Sequence, residues 1–177
     1  LEQASPPALL EAIPAYGVTT LVTAPTSYRA MAEQASKLRL SVPQGGTLRQ
    51  CVSAGEVLPA ATRALWKDAT GIDIIDGIGS TELFHIFISH GDDDVRPGAT
   101  GKPVPGYRAC VLDEQGRPLP RGQVGRLAVK GPTGCRYLDD PRQANYVQGG
   151  WNLTGDAYLV DDDGWFVYHA RTYDMIV

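Results

Sequence analysis

Lysine is scarce in this sequence: only Lys37, Lys67, Lys102 and Lys130 occur in 177 residues. Lysine and arginine together number 16 against 20 carboxylates, a net charge of −4, and no stretch gathers the cations. A protein that grips nucleic-acid phosphates needs a basic patch or stripe, so nucleic acid is excluded as a partner. No run of about 18 apolar residues is present, which removes a membrane-spanning helix. Cysteine is also sparse. Cys51, Cys110 and Cys135 are odd in number and far apart; with no CxxC pair and no disulfide framework they read as reduced thiols of a cytoplasmic protein. His85, His90 and His169 never fall at HExxH spacing, so a zinc site would have to collect ligands from distant segments. The start at Leu1 carries no basic region or cleavage signal. The apolar stop at Met175-Ile176-Val177 and the start at Leu1 together read as a chain cut at both ends.

What is present is ordinary for a soluble globular chain: 43% hydrophobic and 20% charged residues, enough to build a core without cross-links. The first half alternates helical and extended patterns. Pro6 to Tyr16 reads as a helix, with Leu9, Leu10 and Ile13 on one face, Pro6-Pro7 in the first turn, Pro14 distorting the last and Gly17 ending it. Thr19 to Thr23 is β-branched and short, hence a buried strand. Pro25 opens a second helix reaching about Lys37. Gln50 to Ser53 is a strand, Leu58 to Thr70 a helix stopped by Gly71, Ile72 to Ile75 a third strand and His85 to Ser89 a fourth. This alternation predicts an α/β class, a parallel sheet with flanking helices. After Arg96-Pro97-Gly98 the pattern changes to short extended runs between turn signals: Tyr107 to Leu112, Gly125 to Lys130, and a hairpin of Asp156 to Val160 and Trp165 to His169 around Asp161-Asp162-Asp163-Gly164. That half reads as a small antiparallel, barrel-like β subdomain. The expected divisions are residues 1–96, 97–170 and 171–177.

Four segments carry candidate chemistry. Ser53-Ala54-Gly55-Glu56-Val57 lies after a strand, where open α/β sheets bind ligands, and Gly55 would let a flat ligand approach the backbone; equally, it is a plain strand-to-helix turn with Glu56 near a helix start. Asp76-Gly77-Ile78-Gly79-Ser80-Thr81-Glu82 offers backbone N–H groups and hydroxyls to a phosphate and a carboxylate to Mg²⁺. It is not a GxxxxGK[ST] loop, and a turn capped by Ser80 or Thr81 explains it as well. Thr154-Gly155-Asp156 is a turn or a ligand carboxylate. Arg171, in His169-Ala170-Arg171-Thr172-Tyr173-Asp174, is an anion clamp or half of a surface pair with Asp174.

Taken in order, these segments resemble the adenylate-forming family of acyl-CoA synthetases, luciferases and peptide-synthetase adenylation domains. The run Asp76 to Phe87, the phrase Gly101-Lys102-Pro103-Val104-Pro105-Gly106-Tyr107 and the run Trp151 to Asp156 are most similar to its benzoate- and 2-aminobenzoate-CoA ligase branch, which tends to have Ile where Ile78 stands. The resemblance implies part of the family's N-terminal domain, ATP, Mg²⁺ and coenzyme A as cofactors, and an aromatic carboxylate as the small-molecule partner. It implies that Gly55, Glu56 and Val57 wall the adenine, with Asp76, Gly77 and Ile78 beside it. Thr81 would bind the α-phosphate, Glu82 the Mg²⁺, and Asp156 with Arg171 the ribose. Ser27, Tyr28, Gly79 and His85 would line the acyl pocket. The family's hinge position, usually Asp, holds Tyr173, and Ala170 replaces a usual Gly. The family's Lys-containing phosphate loop and its Lys-bearing C-terminal domain are missing from the sequence, so the chain alone is expected not to turn over. The alternatives are a medium-chain acyl-CoA synthetase, a carrier-protein adenylation domain, and a non-catalytic nucleotide-binding module.

Overall fold

The computed structural model describes residues 4–34, 39, 42 and 45–172. Two compact units emerge, residues 1–76 with 91–97, and residues 77–90 with 98–177. The contacts thus group Gly77–His90 with the second half of the chain rather than with the residues before it.

In the first unit, the helix α1 (Pro6–Ala15) starts on its paired prolines and buries Leu10 and Ile13, because proline at the first helical positions loses no hydrogen bond. Strand β1 (Thr20–Thr23) runs parallel to β2 (Gln50–Ser53), Leu21 opposite Cys51. Only Leu21 of β1 is buried. The expected buried strand is therefore an edge strand, whose β-branched residues cover one face only. Helix α2 (Pro25–Ala32) is again opened by proline; it gives way to a turn at Glu33 and Gln34, short of the expected Lys37, and residues 35–37 lie outside the described residues. Helix α3 (Ala60–Thr70) begins only after Pro59 and stops at Gly71, whose φ of 77° is the left-handed cap that glycine supplies without strain. Leu10, Ile13, Tyr28, Met31, Cys51, Trp66 and Ile74 form this unit's core. The Tyr28 ring meets Trp66 edge to face at 4.8 Å. Its hydroxyl lies 2.8 Å from the Leu21 carbonyl and 3.1 Å from that of Val52, so one buried side chain ties α2 to both strands. Burial pushes the Cys51 thiol up to about 12, which leaves it an unreactive core residue.

The third strand departs from expectation. Strand β3 (Ile74–Gly79) starts two residues later and runs four residues further than the pattern of apolar residues indicates. Ile74, Ile75 and Asp76 pair in parallel with Cys51, Val52 and Ser53. Beyond Asp76 the strand continues into the second unit, where Gly77, Ile78 and Gly79 pair antiparallel with Ser89, Ile88 and Ile86 of β4 (Ile86–Ser89). The glycines looked like a loop; the ladder to β4 makes them strand. Strand β5 (Lys102–Pro103) then adds to β4.

The remainder of the second unit is the expected antiparallel sheet. It comprises β6 (Arg108–Leu112), β7 (Gly125–Lys130), β9 (Trp151–Val160) and β10 (Phe166–Arg171), in the order β10-β9-β7-β6, with β8 (Val147–Gln148) also on β9. A short helix α4 (Arg142–Tyr146) precedes β8. Leu83, Phe87, Ile88, Val111, Leu127, Val129, Tyr158 and Phe166 form its core. Strand β9 is ten residues long, so Thr154-Gly155-Asp156 is mid-strand and not a turn.

The Asp73 carboxylate holds the α3–β3 corner. Arg63 reaches it at 2.9 Å and Lys67 at 2.8 Å, and Arg63 also donates to the Ile74 carbonyl at 2.6 Å. Partial burial would raise the Asp73 pKa, but bonds from Lys67, Arg63 and the Ile74 N–H win and lower it. A carboxyl lowered on folding stabilises above its unfolded pKa, near 4, and loses that contribution as pH falls through the folded value. Asp73→Asn is therefore expected to cost about 2 kcal/mol at pH 7, the size of a charge-assisted hydrogen bond. Urea unfolding from pH 7 to 3 checks this: the deficit shrinks towards pH 3, and a deficit that is constant across that range contradicts the account.

Candidate active site

The residues singled out from the sequence fall into two groups, one in each unit. In the first unit, Gly55 has φ of +90° with open space where a Cβ would stand, and Gly55, Glu56 and Val57 are all exposed. Helix α3 has no acidic residue in its first turn, so Glu56 is not the helix-start acid that was one reading of it. Its Oε1 instead accepts a hydrogen bond from the Thr26 hydroxyl at 3.2 Å, which joins the turn after β2 to the start of α2. Ser27 is half-buried on that same helix, while Tyr28 beside it is fully buried. Asp76 ends the parallel ladder opposite Ser53, whose buried hydroxyl has no partner among the described residues.

In the second unit, β3 delivers the chain to a tight double turn. Ser80 is extended, and its Oγ accepts from the Leu83 N–H at 3.3 Å, capping a 3₁₀ turn at Thr81–Leu83. The capping role and the exposed hydroxyl–carboxylate group thus coexist: Ser80 caps, and Thr81 is left exposed. Phe84 then adopts φ of 70° and ψ of −52°, with the His85 N–H bonded to the Leu83 carbonyl at 3.0 Å. This is a strained γ-turn that reverses the chain in one residue. Phe84 and His85 are exposed at its tip. The reversal folds His85 onto Gly79, where a Cβ would stand 2.4 Å from the His85 carbonyl oxygen; at Gly77 it would meet the Ile86 side chain at 2.9 Å. The glycines are therefore needed for close approach of the returning strand.

Glu82 is half-buried in the 3₁₀ turn. Its Oε1 accepts a hydrogen bond from the Tyr137 hydroxyl at 2.9 Å. Partial burial works against its charge, but bonds from its own backbone N–H, from Tyr137 and from Ser80 outweigh that and lower its pKa. It is thus ionised at neutral pH. The turn itself is clamped from the second half of the chain: Thr133 donates to the Leu83 carbonyl at 3.0 Å and also bonds the Tyr107 hydroxyl. Among the described residues no three His, Cys, Asp or Glu side chains cluster as a metal cage. A single ionised carboxylate beside hydroxyls instead suits Mg²⁺, which is commonly held by one or two carboxylates plus substrate phosphates.

Asp156 and Arg171 face each other across β9 and β10. Asp156 is buried, and its Oδ1 lies 2.9 Å from the exposed Arg171 guanidinium. Arg171 is thus paired with Asp156; Tyr173 and Asp174 lie outside the described residues. Burial raises the Asp156 pKa, against the pull of Arg171 and the Thr154 hydroxyl. A separate cavity of 380 Å³ is lined by Gly106, Arg108, Lys130, Gly131, Gly150 and Asn152 and contains none of the singled-out residues.

Tyr137, Tyr146, Thr133 and Tyr107 were not visible as site residues in the sequence. Tyr137 is 55 residues from Glu82, in a turn-rich segment without periodicity, and no local pattern signals such a contact.

The comparison with known families settles what this assembly belongs to. The family profile described as "AMP-binding enzyme" matches residues 1–137. The chain belongs to the AMP-binding enzyme family. Among individual AMP-binding proteins, it is 39% identical over 180 residues to a benzoate–CoA ligase of Thauera aromatica, covering 99% of this chain and 33% of that ligase. It is 34% identical over 176 residues to the mitochondrial acyl-coenzyme A synthetase ACSM3 of Rattus norvegicus, covering 96% of this chain and 30% of that protein. The crystal structure of the anthranilate CoA ligase AuaEII in complex with anthranoyl-AMP superposes with a TM-score of 0.88 at 40% identity, covering 97% of this chain and 33% of that one. The chain thus spans about a third of the length of the relatives it matches.

The glycine packing generates a prediction. Gly79→Ala must displace the His85 backbone and is expected to cost about 1–3 kcal/mol. Gly77→Ala meets only the movable Ile86 side chain, so Ile86→Ala should relieve it and leave the cost of Gly79→Ala intact. Chemical denaturation of the three single and two double variants checks this. Equal relief at both glycines would contradict the described packing.

Proposed function

We propose that this chain is part, about a third by length, of an AMP-forming aryl-CoA ligase. Such an enzyme activates an aromatic carboxylate of the benzoate or 2-aminobenzoate type with ATP and passes the acyl group to coenzyme A. The observation that carries the reading is the Ser80-Thr81-Glu82 turn: a capped hydroxyl, an exposed hydroxyl and an ionised carboxylate held together at the end of a strand. The identities of 39% and 40% to a benzoate–CoA ligase and an anthranilate CoA ligase support the aryl substrate class over the ACSM3-like alternative, at 34%.

In this reading an oxygen of the substrate carboxylate attacks the α-phosphorus of ATP. The bond from that phosphorus to the β-bridging oxygen breaks, and pyrophosphate leaves. The carboxylate is already ionised at neutral pH, so no general base is needed, and catalysis rests on positioning and charge neutralisation. Thr81 would donate to an α-phosphate oxygen, and Glu82 would hold the magnesium ion, which supplies positive charge to the phosphates. Asp156 would accept bonds from the ribose hydroxyls, with Arg171 beside it. Gly55, Glu56, Val57, Asp76, Gly77 and Ile78 would flank the adenine. Ser27, Gly79 and His85 would meet the aromatic acid, with buried Tyr28 anchoring the segment that carries Ser27. In the second step the coenzyme A sulfur, having given up its proton, attacks the acyl carbon and AMP departs. Tyr173 would occupy the hinge between the two steps. The three cysteines are free, which fits a reducing compartment, and we assign the cytoplasm; among the described residues no helix is long and apolar enough to cross a membrane.

Pyrophosphate release by the full protein that carries this chain tests the reading. Benzoate or 2-aminobenzoate should exceed hexanoate in kcat/KM by at least about tenfold, a methylene-scale pocket discrimination. Glu82→Ala should lose about 10²–10³-fold in kcat, the scale of removing one electrostatic contact to the reacting phosphate. A preference for hexanoate would overturn the aryl assignment, and an unaffected Glu82→Ala would overturn the site.

A further inference from the structure

We infer that Tyr137 is a positioning residue for Glu82, fixing the carboxylate that receives the metal; the inference rests on the reading of Glu82 as the magnesium ligand. The Tyr137 hydroxyl donates to Glu82 Oε1 at 2.9 Å across 55 residues of chain. It occupies that one oxygen, and a hydrogen bond to one carboxylate oxygen sets the plane in which the other is presented. Ligand carboxylates are commonly oriented in this way by an outer hydrogen bond.

The tyrosine is itself held from several directions. Its ring meets Tyr146 edge to face at 5.6 Å, and the Arg142 guanidinium lies 5.5 Å from its centroid on another side. Arg142 is in turn pinned by Asp140 at 2.6 Å. The Tyr137 N–H donates to Gln143 Oε1 at 2.7 Å, which joins this turn-rich segment to α4. The turn carrying Glu82 is fixed independently by Thr133 on the Leu83 carbonyl. Both ends of the Tyr137–Glu82 bond are therefore anchored, and the bond sets an orientation rather than following one. A solvent-exposed tyrosine free to swing would not do this. The Tyr146 hydroxyl, by contrast, is buried with no hydrogen-bond partner among the described residues; its pKa is raised by burial and by the charge of Glu82, and its ring is what packs on Tyr137.

The test is a double-mutant cycle on the full protein that carries this chain, with Mn²⁺ as the probe. Binding is followed by electron paramagnetic resonance in the presence of α,β-methylene-ATP. Tyr137→Phe keeps the ring and removes the hydroxyl; it should weaken Mn²⁺ binding about tenfold, the lower end of outer-shell effects, with the melting temperature and the KM for the aromatic acid unchanged. In a Glu82→Gln background the same substitution should change Mn²⁺ binding less than twofold, because its effect runs through Glu82. Tyr146→Phe should leave Mn²⁺ binding within twofold. If Glu82→Gln abolishes binding while Tyr137→Phe leaves it intact, this inference fails and the metal-site reading stands. If Glu82→Gln leaves binding intact, the metal-site reading itself fails. A tenfold loss in Tyr146→Phe, which likewise removes only a hydroxyl, would overturn the inference by showing that the effect is not particular to the hydroxyl of Tyr137.

Discussion

The antiparallel pairing of Gly77, Ile78 and Gly79 with β4 is the constraint on which the candidate site depends. It carries β3 beyond its apolar stretch and delivers the chain to the Ser80–His85 double turn. Only because residue 79 is glycine can the returning backbone at His85 come so close. The strained γ-turn at Phe84 is then the cost of reversing in so few residues, and Thr133 and Tyr107 hold the turn from a distant part of the chain. Thr81 and Glu82 are presented as a consequence of backbone geometry that their own side chains do little to create.

Two carboxylates of the second unit are tuned in opposite directions by one set of forces. Both pay for burial. At Glu82 three hydrogen bonds to the ionised form outweigh that cost. At Asp156, the more deeply buried of the two, Arg171 and Thr154 fall short of it. The difference follows from the deeper burial of Asp156 and from the fewer groups that favour its charge. It suits a division of labour in which one group faces a cation and the other accepts from neutral hydroxyls.

Much of the architecture was legible from local chemistry. Gln50–Ser53 and Gly125–Lys130 are strands to the residue. Gly71 and the helix-opening prolines act where their conformational limits dictate. What was illegible depended on partners remote in sequence. Gly77 to Gly79 has the composition of a loop and becomes strand only through β4. Asp156, after a glycine, has the look of a turn residue until β7 and β10 flank it. Tyr137 has no local signature, since its meaning lies in Glu82. The ordered set of segments nonetheless carried the resemblance to the adenylate-forming family, and the match of residues 1–137 to the AMP-binding enzyme profile bears that out.

A crystal structure of the full protein with benzoyl-AMP or 2-aminobenzoyl-AMP tests the central claim most directly. The account places the α-phosphate within hydrogen-bonding distance of the Thr81 hydroxyl and the ribose hydroxyls on Asp156, with the Ser80–His85 turn unmoved. An adenylate bound with its phosphate away from Thr81, or a turn that rearranges to receive it, would contradict the claim that β3–β4 pairing builds the site in advance.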